Sequence, residues 1–319
     1  MLSVARGLEE GRYRGAVARC LALAWGEVSA RALVRSLPVS GHVRVVAVGG
    51  ATLGGSGKTP LAIACARELA RQGARVAFVG HAYRAHPGRA RVVSPDDSLA
   101  EVGDEALVAA RALEAHHVRV FVAPSRALAV ELAARRVDVL VLDGVLQTAP
   151  PRASLSLLAV DAEEPWGRAE AVPPRGDLRA PVAALRAAAD LVVRVGADSR
   201  DAAVTSNGAH LGDTFYSWDA LRPLRLGLAC ALARPQRLLR SLARHGIHPV
   251  ATAFAGDHRP ITARALRHPV DLWLASAKCA LHMAAAGAPL ATLQHDVACS
   301  PTLAARLSVA HLDPRGHQQ

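Results

Sequence analysis

The stretch 42-HVRVVAVGGATLGGSGKTPLAIACARELARQ-72 decides the reading of this chain. Its opening, His42 to Gly49, is a run of valines and small apolar residues of the kind that fills a strand buried on both faces. A glycine-rich turn follows. Pro60 to Gln72 then reads as a helix, with proline in its first turn, where the missing N–H costs nothing. Strand, glycine turn, Lys58-Thr59 and helix together make the layout of a phosphate-binding loop. Phosphate oxygens need several main-chain N–H groups pointing inward, and only glycines let the backbone approach that closely. In this layout Gly54, Gly55, Ser56 and Gly57 form the cradle, Lys58 is expected to reach the β- and γ-phosphates, and Thr59 to ligate Mg²⁺. The strict pattern GxxxxGK[ST] asks for glycine at position 52, where this chain has Thr52.

Outward from that stretch, strands and helices alternate. Strands are expected over 74–80, 118–123, 137–142, 155–160 and 189–195, and helices over 101–116 and 126–135. Such alternation implies right-handed crossovers and the doubly wound, mostly parallel sheet of an α/β P-loop NTPase-type fold. Arg168 to Pro181, rich in Pro, Gly and Arg, reads as a loop. From about Arg222 a second βα pattern begins. The expected organisation is an amphipathic helical region over 1–40, a P-loop domain over 41–221 and a smaller α/β domain over 222–319.

Val137 to Leu142 is an apolar strand running into Asp143, the position from which a Walker-B carboxylate holds the metal ion bridging the phosphates. Asp104-Glu105 and Asp257-His258 are two further acidic clusters. A hydroxyl attacking a γ-phosphate needs a nearby base, a carboxylate or a carboxylate–histidine pair. Asp104 and Glu105 read equally as acids at a helix N-terminus, favoured by its dipole.

The net charge is +11, carried almost wholly by arginine, because Lys58 and Lys278 are the only lysines. A chain so biased against lysine that keeps one at the phosphate loop points to a need for a compact ammonium there. A basic surface attracts polyanions. The arginines are dispersed, however, and aromatics make up only 3% of residues, which argues against a stacking nucleic-acid platform. The five cysteines stand singly, without CxxC spacing, and read as reduced thiols. Residues Ala16 to Val34 are apolar but interrupted by Arg19, Glu27 and Arg31, so they do not read as a membrane span. Val17, Cys20, Leu21, Ala24, Trp25 and Val28 share one helical face, which fits either packing on the core or lying on an anionic membrane surface.

The order Val48-Gly49-Gly50-Ala51-Thr52-Leu53-Gly54-Gly55-Ser56-Gly57-Lys58-Thr59-Pro60 resembles the tetraacyldisaccharide 4′-kinase family, whose pattern runs close to VGNxTVGGTGKTP and carries threonine where the strict motif has glycine. Val102 to Glu105 resembles that family's VGDE, Pro174 to Pro181 its PAGPLREP, Phe254 to His258 its FxDHH, and Ala277-Lys278 falls where it has TEKD. Two segments depart from it. DDGFQH appears as Asp143-Gly144-Val145-Leu146-Gln147-Thr148, losing the second aspartate and the histidine, and SRGYG appears as Gly80-His81-Ala82-Tyr83-Arg84.

The resemblance implies transfer of the ATP γ-phosphoryl group to the 4′-hydroxyl of a lipid A disaccharide precursor. It implies Asp104 as the base, polarised by His258, with Lys58 and Thr59 on the ATP phosphates and Mg²⁺. Glu105 and Asp143 then lie near the metal, and Thr52, Tyr83 and Arg179 near the nucleotide or acceptor. It further implies a peripheral protein on the cytoplasmic face of the bacterial inner membrane, with no nucleic acid and no obligate protein partner. The alternatives are a P-loop chaperone or regulatory NTPase, against which the absence of an NKxD-like segment counts, and a catalytically weakened kinase homologue.

Overall fold

The computed structural model describes residues 4–39, 42–232, 234–256, 259–283 and 289–312. Contacts divide the chain into two compact units, Met1–Val204 with Val297–Gln319, and Thr205–Asp296.

The first unit is built on a nine-stranded sheet. Its strands are β1 (Arg44–Gly50), β2 (Val76–Val79), β3 (Arg91–Val92), β4 (Arg119–Val122), β5 (Val139–Asp143), β6 (Leu155–Asp161), β7 (Leu191–Gly196), β8 (Ala202–Thr205) and, from the far end of the chain, β15 (Asp296–Cys299). They lie in the order β15-β8-β7-β6-β1-β5-β2-β4-β3. β1 is flanked in parallel by β5 and β6, and β3 pairs antiparallel with β4 at one edge. Every residue of β5 and β6 is buried, as is all of β1 after Arg44. This is why these segments read as continuous apolar runs and not as alternating ones. Helices cover the sheet: α1 (Ala16–Arg31), α2 (Lys58–Arg71), α3 (Asp104–Leu113) and α4 (Arg126–Ala133).

The second unit carries a six-stranded sheet of β9 (Gly208–Leu211), β10 (Thr214–Ser217), β11 (Leu226–Cys230), β12 (Ala251–Phe254), β13 (Leu272–Ser276) and β14 (Leu290–Leu293), ordered β10-β9-β14-β13-β11-β12. Its core gathers Trp273, Leu228, Leu274, Leu242 and Ile247.

Three features differ from the sequence expectation. The boundary at 222 falls earlier, because the hairpin β9–β10 pairs antiparallel with β14 and so belongs to the second unit; a reading keyed to βα alternation passes over such a hairpin. Residues after 296 leave that unit again: β15 forms the edge of the first sheet, and the Gln72 side chain at the end of α2 donates to the Ala304 carbonyl at 3.1 Å. The helix expected over 101–116 is broken at Gly103, whose φ of +81° ends a single turn (Leu99–Val102) before α3 starts. A Cβ at Gly103 would meet the Tyr83 carbonyl oxygen at 3.3 Å, so the break serves to bring the segment 80–84 against the start of α3.

α1 is turned the opposite way from a core helix. Ala18, Ala22, Gly26 and Ser29 form its buried face, while Val17 is 75% exposed, Leu21 55%, Trp25 48% and Val28 59%. The core-packing reading of its large apolar face is therefore set aside. Among the described residues, no helix is long and apolar enough to cross a membrane.

Candidate active site

Parallel pairing sets the site. β1 and β5 lie side by side with Val48 opposite Asp143, so the carboxylate at the end of β5 emerges where β1 gives way to the glycine turn. Ligands of open α/β sheets bind at such carboxyl ends. α2 begins at Lys58, capped by Gly57 in a left-handed conformation, φ +78°. A Cβ on Gly57 would lie 2.9 Å from the Val195 Cβ, so both backbone shape and space demand glycine there.

The loop 168–181 closes over the turn. Leu53 N donates to the Asp177 carbonyl at 2.8 Å and Arg179 N to the Ala51 carbonyl at 2.8 Å. The Arg179 guanidinium also bonds the carbonyls of Thr52 (2.9 Å) and Leu53 (3.3 Å). Thr52 itself is buried, and its hydroxyl donates to the Gly54 carbonyl at 2.7 Å. A threonine at position 52 thus holds the turn through its hydroxyl, a role glycine has no atom to fill.

At the floor, four of the expected residues meet. Lys58 Nζ donates to Glu105 Oε1 at 3.0 Å, Glu105 Oε2 at 3.2 Å and Thr59 Oγ1 at 3.1 Å. Thr59 Oγ1 in turn donates to Asp143 Oδ2 at 2.7 Å. The other Asp143 oxygen, Oδ1, is buried without a hydrogen-bond partner. Burial pushes the Asp143 carboxyl above its ordinary range, against the pull of Lys58. Burial alone would lower Lys58, but the charges of Asp143 and Glu105 outweigh it and hold the ammonium above its usual value.

An orphaned, ionisable oxygen beside a threonine hydroxyl and a second carboxylate is a donor set that suits Mg²⁺, a hard cation taking oxygen ligands and keeping several waters. Among the described residues, no group of three or more His, Cys, Asp or Glu forms a cage; Thr59, Glu105 and Asp143 are the oxygen donors that could hold such an ion.

Beside them lies a cavity of about 570 Å³ lined by Lys58, Glu105 and Arg179, and also by Arg35, His81 and Arg126. Sequence reasoning missed Arg126 and His81. Arg126, in the first turn of α4, is drawn in so that Nη1 donates to the Asp143 carbonyl at 2.5 Å. Burial holds its guanidinium below its ordinary pKa, partly offset by Asp143. Burial and the Arg126 charge likewise lower the His81 imidazole. The signal for Arg126 was its place just beyond the carboxyl end of a parallel strand, β4. Gly144 borders the same space: a Cβ there would lie 3.6 Å from Arg126 Nη2 and 4.0 Å from Lys58 Cε.

Asp104 is buried at the first position of α3, with Oδ1 accepting from Glu105 N at 2.8 Å. At the other end of α3, Arg67 of α2 donates from Nη2 to the Ala112 carbonyl at 3.2 Å and ties α3 to the phosphate-loop helix. Tyr83 is 46% exposed, stands 6.0 Å from the His81 ring and is not among the cavity-lining residues. His258 lies outside the described residues.

Comparison with known proteins gives the family and the fold. The family described as "Tetraacyldisaccharide-1-P 4'-kinase" matches residues 21–278. The chain belongs to that family. Tetraacyldisaccharide 4′-kinases of Brucella ovis, Brucella abortus and Brucella suis are each 33% identical over 269 residues, 80% of this chain and 77% of theirs. A crystal structure titled as the "apo" form of LpxK from Aquifex aeolicus in complex with ATP matches with a TM-score of 0.64 at 20% identity, covering 91% of this chain and 99% of that one. The shared fold is that of a P-loop kinase, and the family's members are kinases of lipid A biosynthesis.

Proposed function

We propose that this chain transfers the γ-phosphoryl group of ATP to the 4′-hydroxyl of a tetraacyldisaccharide 1-phosphate, with the cleft of the first unit as its site. One observation carries the reading: Lys58, Thr59, Glu105 and Asp143 converge through hydrogen bonds at the carboxyl ends of β1 and β5, beneath a glycine cradle.

The division of labour follows from position. Main-chain N–H groups of Gly54 to Gly57 and the start of α2 hold the terminal phosphates, and Lys58 adds a mobile positive charge. Thr59, Asp143 and Glu105 would hold Mg²⁺, which would supply positive charge against the phosphates. Arg179 braces the loop that carries the cradle. Arg126, anchored to the Asp143 carbonyl, brings its second amino group beside Gly144 on the cavity wall, a positive charge for the phosphates to meet. Asp104 is the base for the acceptor's proton; His258, which the family resemblance pairs with it, lies outside the described residues. Phosphoryl transfer asks little of a protein beyond such positioning and charge neutralisation.

The acceptor is an anionic lipid, and α1 supplies a surface for it. Val17, Leu21, Trp25 and Val28 are exposed on a helix flanked by the exposed Arg12, Arg14, Arg19 and Arg31, a pattern suited to the boundary of an anionic bilayer. This supports a peripheral seat on the cytoplasmic face of the inner membrane. The test is turnover: purified protein with ATP, Mg²⁺ and tetraacyldisaccharide 1-phosphate yields a 4′-phosphorylated product. Nucleotide binding without transfer supports instead the weakened homologue that Gly144 brings to mind.

A further inference from the structure

The Lys58 ammonium has three N–H donors, and in this structure its nitrogen lies within hydrogen-bonding distance of three protein oxygens. Two belong to the Glu105 carboxylate and one to the Thr59 hydroxyl. Both partners of the ion pair are only 17% exposed at their side chains, so the pair is shielded and not one of the solvated surface contacts that contribute little. Glu105 is also fixed in place: it sits in the first turn of α3, its own N–H held by Asp104 Oδ1 and its helix tied to α2 through Arg67. A carboxylate with two oxygens against the amine of a phosphate loop has the charge and reach of a phosphate edge.

We propose that Glu105 is a positioning residue that stands in for the terminal phosphate: it holds Lys58 in the nucleotide-free protein, is displaced by the arriving triphosphate, and only then becomes available to the metal beside Thr59 and Asp143. This rests on the phosphotransfer reading above and adds an order of events to it. The electrostatics agree. Lys58 is stabilised as a cation by Asp143 and Glu105 despite its burial, so loss of either negative partner is felt at once by the other. If Glu105 remained on Lys58, its carboxylate would compete with phosphate for the ammonium. If Glu105 were held by metal first, Lys58 would lose its partner before the triphosphate came. The exchange keeps every buried charge compensated at each stage, which a dry site requires.

The experiment measures equilibrium binding of a fluorescent ATP analogue to the full chain, once with EDTA and once with excess Mg²⁺, for the wild type, Glu105→Gln, Lys58→Met and the double variant. With EDTA, Glu105→Gln is expected to bind about tenfold more tightly, the scale of one charge-assisted hydrogen bond no longer broken on binding. With Mg²⁺ that advantage is lost or reversed. In the Lys58→Met background, the Glu105→Gln change should have little effect in EDTA, because Glu105 acts through the lysine. Unchanged EDTA affinity in Glu105→Gln overturns the proposal, and so does a gain that persists without Lys58, which marks plain repulsion of the triphosphate. Glu105→Ala, read beside a thermal melt, repeats the test if the glutamine variant folds poorly. A wild-type chain that binds no nucleotide under either condition defeats the phosphotransfer reading itself.

Discussion

Thr59 Oγ1 lies 2.7 Å from Asp143 Oδ2, so a side chain in the first turn of α2 is bonded to the last residue of β5. The bond leaves Asp143 Oδ1 buried and unpartnered, and burial raises the carboxyl's pKa. Burying the ionised group is therefore costly in the ligand-free fold, a cost that its pairing with the Lys58 charge only partly offsets. Asp143→Asn keeps the acceptor for Thr59 and removes the buried charge. We expect this variant to melt at a higher temperature than wild type without ligand, and to lose Mg²⁺-dependent tightening of nucleotide binding.

The same group fixes a pH dependence. A carboxyl whose pKa is higher folded than unfolded stabilises the fold at pH below its unfolded value of 3.8, and that contribution is lost as pH rises through the folded value. The stability advantage of Asp143→Asn over wild type should thus widen as pH rises above 3.8. Urea midpoints across that range check it; a gap that narrows on the way up contradicts the sign.

Lys58 tests whether the cradle needs an ammonium. In a chain that uses arginine nearly everywhere else, Lys58→Arg is the substitution its composition would favour, yet a planar guanidinium does not fit three tetrahedral donors among Glu105 and Thr59. Both Lys58→Arg and Lys58→Ala should lower transfer by about a hundredfold or more, the scale of losing one preorganised charge at a developing anion. Circular dichroism should show the fold retained.

How much of this was legible follows from where each signal resides. The phosphate loop and Asp143 could be read because main-chain geometry and strand burial leave marks in consecutive residues: glycines at 54, 55 and 57, then an apolar run ending in a carboxylate. The site's assembly could be anticipated only as far as parallel pairing brings strand ends together. Arg126 escaped because its meaning depends on a bond to the Asp143 carbonyl, 17 positions away. The orientation of α1 escaped too. Its apolar face was plain, but that the small residues Ala18, Ala22 and Gly26 would be the buried ones depends on how closely the helix approaches its neighbours, and Gly26 does so against Pro181. The return of residues 297–312 to the first unit has no local mark at all.

Arg126 gives a sharper kinetic forecast than Lys58. Its hydrogen bond is to a main-chain carbonyl, and no ion pair occupies it among the described residues. Removing it should therefore affect the transferring group more than the bound nucleotide. For Arg126→Ala we expect kcat to fall by about two orders of magnitude with the KM for ATP changed much less. Arg126→Lys should recover little of it, because one compact charge does not span both the Asp143 carbonyl and the space above Gly144. A variant whose loss is mainly in KM assigns Arg126 to ground-state binding.

The exposed face of α1 separates membrane seating from chemistry. Trp25, Leu21 and Val28 contribute apolar area to solvent, while the buried side of the helix consists of small residues whose packing does not involve them. Leu21→Glu with Trp25→Ser should leave the melting temperature within a degree or two, since substitutions on an exposed face change stability little. The double variant should lose most sedimentation with vesicles containing anionic phospholipid, because it removes buried apolar area and adds a charge that the same headgroups repel. Turnover on acceptor dispersed in detergent should stay near wild type, whereas turnover on acceptor embedded in vesicles should drop about tenfold or more, in step with the lost binding. Equal loss in detergent and in vesicles would instead mean that this face contacts the acceptor's acyl chains at the cleft and not the bilayer, and undiminished sedimentation would remove α1 from membrane association altogether.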